Sequence, residues 1–247
     1  MIAIRTELEL DLIRKSGEIL KGCFLEIEKA LRPGVTTAEL DRIAEEHIRS
    51  QGAIPAFKGY QGYPANICAS VNEQVVHGIP GPRELEEGDI AGIDIGVLHE
   101  EYYSDAARTY GIGEVNDAAR RLVETTKEAL ELAIDKVRPG NHLSDISHAI
   151  QAHAEGAGYQ VVRALVGHGI GRRMHEEPQI PNFGPPGAGP VLKSGMVLAI
   201  EPMVNVGTLD VHTLKDNWTF VTVDGKLSAH FEDTVAVTDG DPVIMTR

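Results

Sequence analysis

Leu31-Arg32-Pro33-Gly34 returns as Val137-Arg138-Pro139-Gly140, with Pro33 and Pro139 106 positions apart. At the same offset Leu40 meets Ile146, Ile43 meets Ala149 and Gly52 meets Gly158. A Pro-Gly pair breaks a helix, and an amphipathic stretch that then runs to a glycine forms another. Each half therefore reads helix, break, amphipathic helix, glycine stop. Similarity at a fixed offset marks duplicated units, so two related halves are expected, about 1–113 and 114–247, within one domain spanning 1–247.

The long helices, Glu7 to Leu31 and Asn116 to Val137, carry apolar residues at three and four spacing. The shorter ones after each break open on cap formers, Thr36 with Glu39 in the first half and Ser144 in the second. Apolar and β-branched runs between punctuation read as strands: Ile67 to Gly78, Ile90 to Leu98, Tyr102 to Tyr110, Met196 to Val206, Trp218 to Val223 and Leu227 to Val237. The class is α+β, two half-sheets with helices outside. Gly184 to Pro190, rich in Gly and Pro, is a surface loop.

Composition narrows the function. The 247 residues carry a formal charge of -14, against the basic surface that nonspecific binding to nucleic acid or anionic membrane needs. Two cysteines, Cys23 and Cys68, make no disulfide framework. Charged residues Arg5, Glu7 and Glu9 exclude an apolar signal sequence at the start, and no run of about 18 apolar residues exists for a membrane span. A cytoplasmic protein with small or cationic ligands is expected, with neither DNA nor membrane as partner.

Several acids stand where burial would be costly. Asp94 interrupts the apolar strand Ile93 to Leu98, and Asp105 lies in the next. With His99-Glu100 as the turn, Leu98 faces Glu101 and Asp94 faces Asp105 directly, side chains roughly 5 Å apart. Two carboxylates that close repel unless one is protonated or a cation lies between them. Gly167-His168-Gly169-Ile170-Gly171 surrounds an imidazole with residues lacking Cβ, leaving room for a metal or substrate, and His175 follows at seven residues. Glu201 ends the apolar run Met196 to Ile200, where a buried carboxylate needs a paired charge or a metal. Period two puts Ser228, His230, Glu232 and Thr234 on one strand face. Taken singly, each has an ordinary alternative: acids pointing to water, a satisfied loop histidine, a solvated strand face.

Taken together and in order, these residues resemble the type I methionine aminopeptidases. The likeness rests on Asp94, Asp105, Gly167 to Gly171, His175-Glu176-Glu177-Pro178, Ile200-Glu201-Pro202-Met203 and Ala229-His230-Phe231-Glu232-Asp233-Thr234. It extends to Gly59-Tyr60-Gln61-Gly62-Tyr63 and to Ser70 through Pro80, so it covers nearly the whole chain. It implies the pseudo-twofold "pita-bread" fold, which agrees with the repeat, and the short bacterial form without an N-terminal extension.

The resemblance further implies removal of the initiator methionine from nascent proteins when the second residue is small, by water activated between two divalent ions. One ion would be held by Asp94, Asp105 and Glu232, the other by Asp105, His168, Glu201 and Glu232. Four carboxylates and one imidazole suit Mn, Fe or Co at least as well as Zn. By the same likeness Glu201 accepts the proton, His77 lies toward the scissile nitrogen and His175 toward the carbonyl oxygen. Phe57, Tyr60, Tyr63, Cys68, Met174 and Trp218 would line a pocket for the methionine thioether. A monomer in transient contact with the ribosome is implied too, although Gly207 to Lys226 carries only Lys215 and Lys226 where relatives have a more basic loop.

The chain departs from the pattern at Gly92, where Asn is common, at His230, a frequent Gln, and at Met174, often aromatic. Two other readings compete. Proline-specific aminopeptidases and dipeptidases share the fold and five ligands but usually add an N-terminal domain. Noncatalytic pita-bread binding proteins lose ligands, and here all five stand.

Overall fold

The first Pro-Gly break puts Gly34 at φ 87°, and its counterpart Gly140 lies at φ 92°, a left-handed conformation that glycine adopts without a Cβ penalty. In the computed structural model, which describes all 247 residues, these two N–H groups donate to equivalent carbonyls, Gly34 to Leu85 at 2.8 Å and Gly140 to Leu192 at 3.1 Å. Single bridges follow at equivalent places, Thr36 with Glu84 and His142 with Val191. The repeat seen in the sequence is thus a repeat of geometry.

The first half runs α1 (Glu7–Ala30), α2 (Thr37–Ser50), β1 (Ile54–Pro55), β2 (Cys68–Val71), β3 (Gln74–Val76), β4 (Ile90–His99) and β5 (Tyr102–Gly111). The second runs α3 (Asp117–Ile134), α4 (Leu143–Gly156), β6 (Gln160–Val161), β7 (Val166–Gly169), β8 (Glu176–Pro181), β9 (Val197–Ile200), β10 (Met203–Asn205), β11 (Val211–Thr213), β12 (Phe220–Thr222), β13 (Ser228–His230), β14 (Asp233–Ala236) and β15 (Val243–Ile244). All paired strands are antiparallel, with β1, β2 and β5 on β4 in one sheet and the order β15-β14-β9-β7-β8 in another. One core joins Ile27, Leu40 and Ile48 to Ile93, Ile95 and Val97; another joins Leu130, Ile146 and Ile150 to Leu198, Ile200 and Val235. Helices cover one side of each half-sheet, and the opposite side faces inward.

Four expectations need correction. His99 pairs with Tyr102, so the β4–β5 turn is Glu100-Glu101, at φ 46° and 70°, and not His99-Glu100. Both turn residues take the positive φ that a two-residue hairpin needs, normally the role of Asn-Gly. The register shifts accordingly: Asp94 faces Ala107, Asp105 faces Gly96, and the aspartates are diagonal neighbours on one face. Next, α4 begins at Leu143, with Asp145 accepting the His142 N–H at 2.8 Å, while the Ser144 hydroxyl accepts from Ala188 N–H at 2.7 Å. Finally, Val166 to Gly169 is a strand, where a loop was expected. The runs Met196 to Val206 and Leu227 to Val237 are each interrupted, at Glu201-Pro202 and at Phe231-Glu232.

The half-sheets meet along a short ladder between β5 and the β13–β14 junction. Ala107 and Glu232 exchange backbone hydrogen bonds of 3.2 and 2.9 Å. On one side of that pair the Thr234 hydroxyl accepts from Asp105 N–H at 3.0 Å and donates to Asp105 C=O at 2.8 Å. On the other, the Thr109 hydroxyl accepts from His230 N–H at 3.0 Å and donates to His230 C=O at 2.7 Å. Two threonine hydroxyls therefore stand in for backbone partners, and the sheet continues across the seam.

On the helix side Asp233, fully buried, receives Arg108 at 2.5 Å and Arg247 at 2.7 Å. Arg108 also donates to the Ala107 and Glu232 carbonyls.

Replacing Thr234 by Val keeps the shape and strands two backbone groups of Asp105 in a dry seam, at a cost of about 2–3 kcal/mol. Urea denaturation of Thr234→Val measures it. A change under about 0.5 kcal/mol would mean the seam is not held by this hydroxyl.

Candidate active site

Continuity across the seam arranges the inward side chains in two rows. Cys68 faces Asp94, Asp94 faces Ala107 and Ala107 faces Glu232, so these four lie across β2, β4, β5 and the β13–β14 junction. One step along the strands, Gly96 faces Asp105, Thr234 faces Ala199, and Ala199 faces His168. Glu201 follows directly on β9. Period two in each strand brings every one of these side chains to the same surface.

A cavity of about 270 Å³ opens on that surface. All thirteen residues singled out from the sequence line it: Asp94, Asp105, His168, Glu201, Glu232, His77, His175, Phe57, Tyr60, Tyr63, Cys68, Met174 and Trp218. Gln61 lines it as well and was missed. Its signal was its place between two glycines in Gly59 to Tyr63; it takes φ 49°, uncommon for a residue with a Cβ.

Burial governs the electrostatics. Asp94, Asp105 and Glu232 are at most 9% exposed. Desolvation pushes Asp94 up to about 7. It also raises Asp105, Glu201 and Glu232 well above the usual carboxylate range, and the neighbouring acids push them further. Burial pulls His168 down to about 3, with His175 adding to the effect, and His77 down to about 4. Asp94 Oδ1, Asp105 Oδ1 and Glu232 Oε1 have no hydrogen-bond partner although buried. Buried acceptors without a partner are costly, and a cation among them would satisfy all three.

The imidazole complements them. His168 Nδ1 lies 2.9 Å from the Gly169 carbonyl, which makes it the N–H donor and leaves the lone pair on Nε2. Nε2 lies 3.8 Å from Glu201 Oε1. Asp105, His168 and Glu232 each offer a ligand atom within 4.8 Å of the other two. Oxygen donors with one neutral imidazole fit a hard or borderline divalent cation.

The glycines around His168 have a different purpose from the one expected. A Cβ on Gly167 would lie 2.5 Å from the Ala199 carbonyl oxygen, and one on Gly169 2.2 Å from that of Glu177. They let β8 and β9 close on the histidine. Beside the acids, Phe57, Tyr63, Cys68 and Met174 form a buried apolar cluster, with Trp218 edge-on to Tyr63 at 5.1 Å. His175 stacks near His168, ring centres 4.3 Å apart, and accepts or donates at Nδ1 with Tyr60. His230, outside the cavity lining, turns Nε2 toward Glu201 Oε2 at 3.8 Å.

Known proteins share this arrangement. The profile of metallopeptidase family M24 matches residues 11–239. A methionine aminopeptidase of Clostridium perfringens is 54% identical over 246 residues, covering all of this chain and 99% of that one. Methionine aminopeptidase 1 of Bacillus subtilis is 53% identical over the full length of both. The crystal structure of the Thermotoga maritima methionine aminopeptidase superposes with a TM-score of 0.99 at 45% identity, each chain fully covered. The chain is a metallopeptidase of family M24 and belongs to its methionine aminopeptidases. It is a hydrolase that uses divalent metal, and no helix in it is long and apolar enough to cross a membrane.

Ions bind ionised carboxylates, so protons held by Asp94 and its neighbours must leave. Mn2+ binding to the metal-free protein is expected to release protons at pH 7 and to weaken as pH falls from 8 to 6. Calorimetry in buffers of different ionisation heat measures both; uptake of protons, or affinity independent of pH, would contradict the cluster's raised carboxyls.

Proposed function

We propose that this chain, acting as one catalytic domain, removes the N-terminal methionine from peptides and nascent proteins whose second residue is small. The observation that supports this best is the juxtaposition of unpartnered buried acids with an apolar, aromatic and sulfur-bearing cluster around one cavity. Two divalent ions (Mn, Fe, Co or Zn) would be held there, one by Asp94, Asp105 and Glu232, the other by Asp105, His168, Glu201 and Glu232. Bound ions supply the Lewis acidity that polarises the scissile carbonyl and makes water nucleophilic near neutral pH.

The chain's own groups do the rest. The methionine side chain enters among Phe57, Tyr60, Tyr63, Cys68, Met174 and Trp218, where aromatic rings and sulfur match a polarisable thioether. Glu201, beside His168, accepts the proton of the attacking water and passes it to the leaving amine. His175 stabilises negative charge developing on the carbonyl oxygen. His77, held neutral by burial, lies toward the scissile nitrogen. Histidines on both sides of the amide leave little room for a large second side chain, and a displacement of about 1 Å can lower the rate about a hundredfold. The protein is read as a cytoplasmic monomer that meets nascent chains, in transient contact with the ribosome.

Comparing kcat/KM for Met-Ala-Ser, Met-Lys-Ser, Leu-Ala-Ser and Ala-Pro-Ser tests the reading. Met-Ala-Ser is expected to be best, Met-Lys-Ser scarcely cleaved, and Leu-Ala-Ser weaker by a modest factor, because apolar pockets separate similar shapes by only about 1–3 kcal/mol. If Ala-Pro-Ser leads, the enzyme is proline-specific.

A further inference from the structure

The turn Gly59-Tyr60-Gln61-Gly62-Tyr63 is held in a shape few residues accept. Gly59, Gln61 and Gly62 lie at φ 88°, 49° and 90°, and for a residue with a Cβ the left-handed region costs roughly 1–2 kcal/mol. The turn closes on itself through Gly59 N–H to Tyr63 C=O at 2.8 Å and Tyr63 N–H to Tyr60 C=O at 2.9 Å. Its two tyrosines both line the cavity and have different partners. The buried Tyr63 hydroxyl donates toward the Gly78 carbonyl at 2.9 Å, one residue from His77. The Tyr60 hydroxyl lies 2.7 Å from Nδ1 of His175, ring centres 5.2 Å apart. The two glycines take these angles freely, so the strain falls on Gln61 alone, the kind of outlier that a functional site retains.

The Tyr60–His175 contact poses a chemical question, because a phenol can donate to Nδ1 or accept from it. A neutral imidazole has one N–H and one lone pair, and which nitrogen carries which is set by the partner of the other. The Tyr60 hydroxyl has its one proton to donate, and its hydrogen-bond partner in this fold is Nδ1 of His175. Donation there keeps the lone pair on Nδ1, so the ring proton sits on Nε2. The reverse bond would leave Nε2 with a lone pair, unable to donate to a developing oxyanion. If Tyr60 were only a wall of the pocket, its ring would matter and its hydroxyl would not.

We propose that Tyr60 is a positioning residue: by donating its hydroxyl proton to Nδ1 it fixes His175 as the Nε2–H tautomer and makes it a hydrogen-bond donor to the substrate carbonyl oxygen. This rests on the role given to His175 above, but the tautomer itself can be measured without turnover.

The test uses full-length protein with 15N-labelled histidine, loaded with Zn2+ so that it stays diamagnetic, and correlates ring nitrogens with ring protons. Wild type is expected to show His175 protonated at Nε2 and bare at Nδ1, and Tyr60→Phe, which keeps the ring, to show a mixture of tautomers. In parallel Tyr60→Phe should lower kcat for Met-Ala-Ser about tenfold, the worth of one hydrogen bond strengthened in the transition state, with KM and metal content unchanged. A wild-type His175 protonated at Nδ1 would overturn the proposal, as would a Tyr60→Phe enzyme with wild-type kcat or an unaltered tautomer. His175→Ala is the control on the underlying role. If it retains full kcat, the oxyanion reading fails, whereas the nitrogen spectra still decide what Tyr60 does to the ring.

Discussion

Carboxylates packed together in a largely buried cavity repel, and the fold is arranged around that repulsion. Two unit charges about 5 Å apart at an effective dielectric near 20 oppose each other by about 3 kcal/mol. Asp94, Asp105, Glu201 and Glu232 share one cavity, with His168 neutral beside them and no Arg or Lys in its lining. Arg108 lies on the other face, where it pairs with Asp233 and stands over the Phe24 ring. The acids are thus left for ions from solution, and the metal-free protein must hold protons there instead.

Holding such groups together demands rigid backbone, and the seam between the halves provides it. Asp105 belongs to the first half and Glu232 to the second, and the Thr234 hydroxyl and the Ala107–Glu232 bridge fix one against the other. Small residues keep the surface clear. A Cβ on Gly96 would meet the Phe57 ring at 2.5 Å, so glycine there admits the aromatic wall of the pocket. Duplication explains the economy of the site, since each half-sheet contributes acids and the cavity forms where they join.

The sequence carried much of this in legible form. The repeated Pro-Gly break, the first helix, read as Glu7 to Leu31 and found as Glu7–Ala30, and the apolar run of β4 are local signals, read from residue pattern alone. The β4–β5 register was not legible, because Glu100-Glu101 lacks the Asn-Gly signature and the choice of turn moves every pair along both strands. Flanking glycines disguised β7, since their role is set by the carbonyls of Ala199 and Glu177, distant in sequence. The gathering of thirteen residues round one cavity came from family likeness; no periodicity in the chain encodes the contact of Asp105 with Thr234. Gln61 escaped because nothing in its residue type marks it, only the turn that presents it.

Under the proposed function, acids from both halves share two ions across the seam. Anomalous diffraction from crystals grown with Mn2+ tests it most directly. Two peaks about 3.5–4 Å apart, both in contact with Asp105 and Glu232, are predicted. A single peak, or a second ion that touches neither bridging carboxylate, would contradict the account.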